Sequence, residues 1–317
     1  MRFYFSGHDY NSTESTLRRQ RKLTEANRLK WWQHDLAALD GIADSYLMSA
    51  HYAYTVRIIT HLLRRSKAVH GRPTRLMIDS GAFSAWNSGL GVDLEKLGDL
   101  YCSLNDWLVG RVDEWYFVNL DSIPGKPGQR PTRSQLEESG RVGWSNMEYL
   151  QSRGLPVIHI FHQHEPWDLL SRIAGNSPYI GLSPANDLGE PSRVAWARDC
   201  FEHLDKLGPM VRCHGFATTG GKMIRAGPWY SVDSASWKSP LIYGRVQKAA
   251  RTVTEGLQTR DADHIRWAAR RNVELHYMPR VKRETQGWAR RGYDWEKRDD
   301  TEDFWQEWNR TCGGAKA

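Results

Sequence analysis

The chain has 317 residues, of which 26% are charged and 40% hydrophobic, and this globular composition excludes wholesale disorder. No run of about eighteen apolar residues occurs, and the N-terminal stretch lacks a basic region followed by an apolar one, so no membrane span is expected and a cytoplasmic protein is. The net charge of +7 favours a polyanionic partner such as nucleic acid, and four scattered cysteines (Cys102, Cys200, Cys213, Cys312) exclude a disulfide framework or a cysteine-rich zinc knuckle.

In chain order, eight short apolar runs recur: 3–7, 45–51, 75–80, 114–122, 155–163, 179–184, 211–218 and 229–236. Several end in a polar or Gly-containing cluster. Helical periodicity lies between most of them, as in Leu94, Leu97, Leu100, Tyr101, Leu104 and Leu108, and again from Val194 to Leu207. Strands alternating with helices require crossover connections, hence a parallel sheet. Eight units in about 240 residues match an α/β fold of the TIM-type (β/α)8 barrel kind. No G-x-G-x-x-G follows the first strand, against a dinucleotide-binding sheet. About ten residues, TGGKMIRAGP, separate the last two strands, which predicts a short helix there. Residues 1–240 thus read as the barrel domain. Residues 241–317 read as its final helix plus a basic, Trp-rich helical extension, either a cover over the barrel bottom or a nucleic-acid clamp.

A β/α barrel carries its chemistry at the C-terminal ends of its strands. Those ends here hold Asp79-Ser80, Asn119 with Asp121, the HIFHQHE stretch from His159 to Glu165, Gly181 with Ser183, His214, the turn from Thr218 to Gly221, and Asp233. One strand-end Asp is often a helix cap, but three, at Asp79, Asp121 and Asp233, point to a carboxylate-lined pocket. Two carboxylates flanking a glycosidic bond serve as nucleophile and general acid/base, and a third can accept hydrogen bonds from a guanine edge. On a strand, His159 and Gln163 share one face, which is expected to turn into the barrel, while His162 and His164 share the other. The turn from Thr218 to Gly221 could bind a phosphate at a helix start.

The stretch Asp79-Ser-Gly-Ala-Phe83 resembles the D-S-G-G-F-Q signature of tRNA-guanine transglycosylases, and residues 214–237, HGFATTGGKMIRAGPWYSVDSASW, resemble that family's segment from strand seven to strand eight. The resemblance implies a barrel that exchanges guanine for a 7-deazaguanine base without cutting the backbone and without a cofactor. By position, Asp233 resembles the covalent nucleophile, Asp79 the general acid/base, and Phe83 the aromatic that stacks on the base. Asp121 resembles the residue that reads the guanine edge, Gln163 the base-contacting glutamine, and Gly181 the residue whose backbone N–H meets the base carbonyl. Ser80, Ser183 and His214 complete the expected binding set. The clustered zinc ligands of the tRNA enzymes are missing, and Ala82 and Ser84 replace the second Gly and the Gln of the signature. These departures make the sequence look more like the phage DNA transglycosylases often called DpdA. That branch implies double-stranded DNA and a free preQ0-like base as partners, protection of a phage genome from restriction, and pairing as a homodimer. The alternatives are a tRNA enzyme, a metal-dependent barrel hydrolase using His159, His162, His214 and Asp233, and a non-catalytic nucleic-acid-binding relative. The hydrolase reading lacks the H-x-H pair in its first strand, FYFSGHD.

Overall fold

The structure is a computed structural model and describes residues 1–7, 36–51, 55–69, 74–125, 129–185, 188–208, 211–238 and 262–299. Asn186, Asp187 and much of the basic tail lie outside them. The strands are β1 (Arg2–Phe5), β2 (Ser45–Ser49), β3 (Arg75–Asp79), β4 (Glu114–Val118), β5 (Val157–Ile158), β6 (Ile160–His162), β7 (Tyr179–Ser183), β8 (Arg212–Gly215) and β9 (Ser231–Ser234). All pair in parallel, in the order β5-β4-β3-β2-β1-β9-β8-β7-β6. The two ends of that order, β5 and β6, are separated in the chain only by His159. They are halves of one strand, which brings the ring round: Asn119 N–H donates to Ile158 O on one side (2.9 Å), and Gly181 N–H donates to His159 O on the other (2.8 Å). The eight expected runs therefore form a TIM-type α/β barrel.

Both faces of each strand are covered, which is why the strands read as nearly continuous apolar runs. Tyr4, Met77, Tyr116, Val118, Ile158, Ile160, Tyr179 and Tyr230 fill the interior. Phe3, Phe5, Met48, Leu76, Ile78, Phe117, Phe161, Ile180, Leu182 and Val232 belong to the larger core outside the barrel wall. Tyr179 meets Tyr116 and Tyr230 edge to face, at 4.9 and 5.1 Å between ring centres.

The outer layer comprises α1 (Thr55–Val69), α2 (Ala82–Ser88), α3 (Leu94–Leu108), α4 (Arg133–Ser152), α5 (Trp167–Asn176) and α6 (Glu190–Leu207). In α3 the three-to-four spacing becomes a buried stripe of Leu97, Tyr101, Leu104 and Leu108. Between β8 and β9 the expected short helix is absent, and the chain makes successive turns instead. Gly220, Gly221, Gly227 and Pro228 all disfavour a helix there. Gly227 also packs so tightly on Phe201 that a Cβ would lie 1.8 Å from its ring.

The described tail comprises α7 (Ala262–Asn272), a π-helical turn (Val273–Tyr277), α8 (Met278–Ala289) and α9 (Trp295–Asp299). The wider turn falls just before Pro279, whose missing N–H interrupts the normal ladder. Tyr277 packs edge-on to Phe3, and its hydroxyl lies 2.6 Å from Ser236 Oγ. Trp295 reaches the N-terminal end of the barrel, where it is 5% exposed, meets Tyr230 edge-on and donates to Pro228 O (3.1 Å). Around it, Arg2 and Arg75 both pair with Glu114, and Arg75 also reaches Asp44 at 3.0 Å. Trp295 therefore closes the barrel bottom, whereas Asn272, Tyr277 and Arg280, earlier in the tail, bond Trp237 O, Ser236 and Thr219 O beyond the C-terminal ends of β8 and β9. Among the described residues no helix is long and apolar enough to cross a membrane.

Candidate active site

Asp79 is the last residue of β3, at the opposite end from that seal. It does not cap the following helix: α2 starts from Gly81, with no side-chain cap. Asp79 Oδ2 instead accepts the Gly81 N–H at 2.9 Å. Gly81 is left-handed (φ 82°), and a Cβ there would lie 2.3 Å from His51 Cβ, so both the conformation and the space require glycine. The Tyr101 hydroxyl of α3 reaches Val118 O (2.9 Å) and Ile78 O (3.2 Å), joining the ends of β3 and β4. Burial pushes this phenol well above its ordinary pKa, and the charges of Asp79 and Asp121 push it further, so both carboxylates act on the same buried group.

Asp121 follows β4 on a loop held by α4. Asn146 Nδ2 donates to Leu120 O (2.8 Å), and the Ser139 hydroxyl donates to Ser122 O. Asp121 Oδ2 lies 2.7 Å from His162 Nε2. Burial lowers the pKa of this imidazole, but the hydrogen bond and charge of Asp121, with the charge of Glu165, outweigh it and leave the pKa raised. Glu165 Oε2 accepts the His162 N–H at 2.6 Å, and burial pushes the Glu165 carboxyl up to about 7. Asp121 thus has a cationic-leaning partner and a second, buried acid behind it.

Asp233 is an inward residue of β9, 7% exposed. Its Oδ1 accepts the N–H of Ala217 at 2.7 Å. Ala217 holds a left-handed φ of 50°, a local strain that aims its N–H at the carboxylate. His214 Nε2 lies 3.5 Å from the same Oδ1. On the other edge of that ring, His214 Nδ1 is 2.6 Å from Ser231 Oγ, and Ser231 Oγ is 2.6 Å from the Tyr179 hydroxyl.

The remaining expected residues divide. Phe83, on α2, is 50% exposed beside Trp86 and is free to present its ring at the mouth. Ser183 ends β7 opposite His162. Ser80 is buried, and its Oγ accepts the Ala82 N–H, closing a turn. Four expectations need correction. The Gly181 N–H is already committed to His159 O in the barrel ladder, so it is not free for a base carbonyl. Its missing side chain makes room for the Phe216 ring, which would lie 2.5 Å from a Cβ. The faces of the fifth strand are reversed: His162 turns inward to Asp121, while His159 packs outward against Trp144 and Gly143 of α4 and bonds Asn119. Burial holds the His159 imidazole down at about 3. Gln163 faces the β7–α6 connection, where it accepts the Ala185 N–H (3.1 Å) and reaches Ser192. His214 is fully buried beneath Asp233 rather than lining the mouth. The turn from Thr218 to Gly221 opens no helix, and Thr219 O is taken by Arg280.

Sequence reasoning placed Glu165 at a strand end but gave it no role, and it missed Ala217, Phe216, Ser231 and Tyr179. Ser231 was within reach, because it stands two residues before Asp233 and so shares its face. With His159 outward, the four ligands of the hydrolase reading do not converge, and no group of three or more His, Cys, Asp or Glu among the described residues could hold a metal ion. No model of a known protein family matches the chain, and no curated protein matches it.

Proposed function

We propose that the protein is a guanine transglycosylase that exchanges guanine in double-stranded DNA for a free 7-deazaguanine base such as preQ0. The observation that carries this reading is the barrel mouth, where Asp79 caps no helix and Asp233 has Oδ1 anchored by Ala217, with Oδ2 unpartnered among the described residues. Asp121, steadied by His162, supplies a third carboxylate. The target guanine leaves the stack, at a cost of a few kcal/mol, and stacks on Phe83. Asp233 Oδ2 forms a bond to C1′ as the C1′–N9 bond breaks. The electron pair leaves with guanine, which takes a proton from Asp79. The 7-deazaguanine then gives its N9 proton to Asp79 and attacks C1′, releasing the Asp233 carboxylate. Two displacements retain the configuration. Asp121 reads the donor edge of the base. Arg and Lys supply phosphate contacts, so binding weakens steeply with salt. Restriction protection of a phage genome is the role such a product would serve.

The test is a base-exchange assay: purified protein, preQ0, and either duplex DNA or bulk tRNA, followed by digestion and mass spectrometry of the nucleosides. Modified deoxyguanosine, lost in Asp79→Ala and Asp233→Ala, is the expected result. Modification of tRNA alone would keep the chemistry and replace the polymer. No modified nucleoside in either would overturn the reading.

A further inference from the structure

Beneath Asp233, four polar groups run in a line through the barrel: Tyr179 OH, Ser231 Oγ, the His214 ring and Asp233 Oδ1. Counting protons gives the line a direction. The hydroxyl of Tyr179, fully buried, has Ser231 as its one hydrogen-bond partner among the described residues, so the phenol must donate to Ser231 or leave its proton unpaired there. Ser231 then has one proton left, and its remaining neighbour is His214 Nδ1. Nδ1 accepts it, so the ring proton sits on Nε2. That Nε2 is buried without a hydrogen-bond partner among the described residues and faces Asp233 Oδ1 across 3.5 Å. An unpaired N–H in a dry interior acts strongly on a facing carboxylate.

We propose that Tyr179, Ser231 and His214 form a one-way relay that fixes the Nε2–H tautomer of His214 beneath Asp233, offers that N–H to the carboxylate and holds its Oδ1 so that Oδ2 faces the substrate. His214 is a positioning residue, since it is sealed from the mouth. This assignment rests on Asp233 being the nucleophile. Other titratable groups face the relay. Tyr4 of β1 meets the His214 ring edge-on and pairs with Asp233 across the sheet. Tyr179 comes from β7, while Asp79, Asp121 and His162 stand at the mouth above. Burial drives the phenols of Tyr4 and Tyr179 far above their ordinary values, so both stay neutral throughout the accessible range. No arginine or lysine pairs with Asp233 among the described residues. The relay and the Ala217 N–H therefore carry the task of holding the anion.

The experiment compares His214→Leu, His214→Gln, Ser231→Ala and Tyr179→Phe with the wild type. Exchange rate is followed from pH 5 to 9, and thermal melting checks that each variant folds. In parallel, the side-chain carboxyl of Asp233 is titrated by carbon-13 NMR without substrate. His214→Leu is expected to move the acid limb of the rate profile, and the carboxyl titration, up by about one pH unit. It should lower kcat about ten- to a hundredfold while KM for the free base stays within about twofold. Ser231→Ala should shift both profiles the same way by less, and Tyr179→Phe by least. His214→Gln, which still offers an N–H, should restore most of the wild-type profile. Identical acid limbs and identical carboxyl titrations in all folded variants would overturn the relay. If the wild type exchanges no base, the functional reading falls, and the NMR titration alone still decides whether the relay acts on Asp233. If His214→Leu does not fold, Ser231→Ala and His214→Gln decide between the two outcomes.

Discussion

At the N-terminal end of the barrel, Arg2 and Arg75 converge on Glu114, Asp44 takes the second arm of Arg75, and Trp295 closes the space below Tyr230. At the C-terminal end, Asp121 and Asp233 are partnered by the imidazoles of His162 and His214 rather than by guanidinium groups. Both ends bury charge, but the bottom cancels it with permanent cations. The mouth instead sets it against imidazoles and a backbone N–H. The first arrangement serves stability; under the proposed function the second serves reactivity. A carboxylate locked to arginine is a poor nucleophile, whereas one held by an N–H and an imidazole keeps its charge available.

Single substitutions can break that contrast. Removing the charge at the mouth should abolish function without unfolding. Asp233→Ala is expected to lower base exchange by about 10⁴-fold, with a melting temperature close to wild type. Removing it at the bottom should do the reverse. Glu114→Ala removes the buried carboxylate that Arg2 and Arg75 share and is expected to cost about 3 kcal/mol in denaturant unfolding, with the exchange rate per folded molecule unchanged. The pH dependence of stability sharpens the same point. Glu165 titrates at about 7 when folded but near its ordinary value of 4.5 when unfolded. Between those values the folded state keeps a proton that the unfolded state has lost. Stability therefore falls as pH rises through that window, by on the order of 2–3 kcal/mol. Glu165→Gln should flatten that decline in melting curves recorded from pH 4.5 to 7.5. Gly81→Ala, forced into a left-handed turn against His51, should cost about 2 kcal/mol and displace Asp79, seen as lost exchange in protein that still folds. Smallest is Tyr101→Phe, which leaves the carbonyls of Ile78 and Val118 unserved and should cost about 1 kcal/mol by chemical denaturation.

The strands were legible because a barrel buries both faces of its wall, so each one writes an apolar run. The three strand-end carboxylates were legible for the same reason, as acids interrupting the ends of those runs. Which face of the fifth strand points inward was not. A period of two states which residues share a face, but barrel closure at His159 decides which face is the inner one. Gly181 misled because a mid-strand glycine can either free a backbone N–H or admit a neighbouring ring, and Phe216 lies 35 positions further along the chain. The line from Tyr179 to Asp233 joins three strands, and no local pattern announces it. Asp79 could be told from a helix cap only once its helix proved to begin at Gly81 without it.

The seal at the bottom of the barrel also sets the order in which the chain can be completed. β1 finishes its pairing only when β9 arrives more than 220 residues later, and Trp295 comes later still. Until then the ring stays open, with an unpaired edge on the first strand and a hole lined by tyrosines. Contacts of such long sequence separation fold slowly and keep sticky edges exposed while they wait. Trp295, the last of the described tryptophans along the chain, therefore makes an intrinsic optical clock. Its fluorescence should change in the slowest refolding phase, after the helical signal has already recovered.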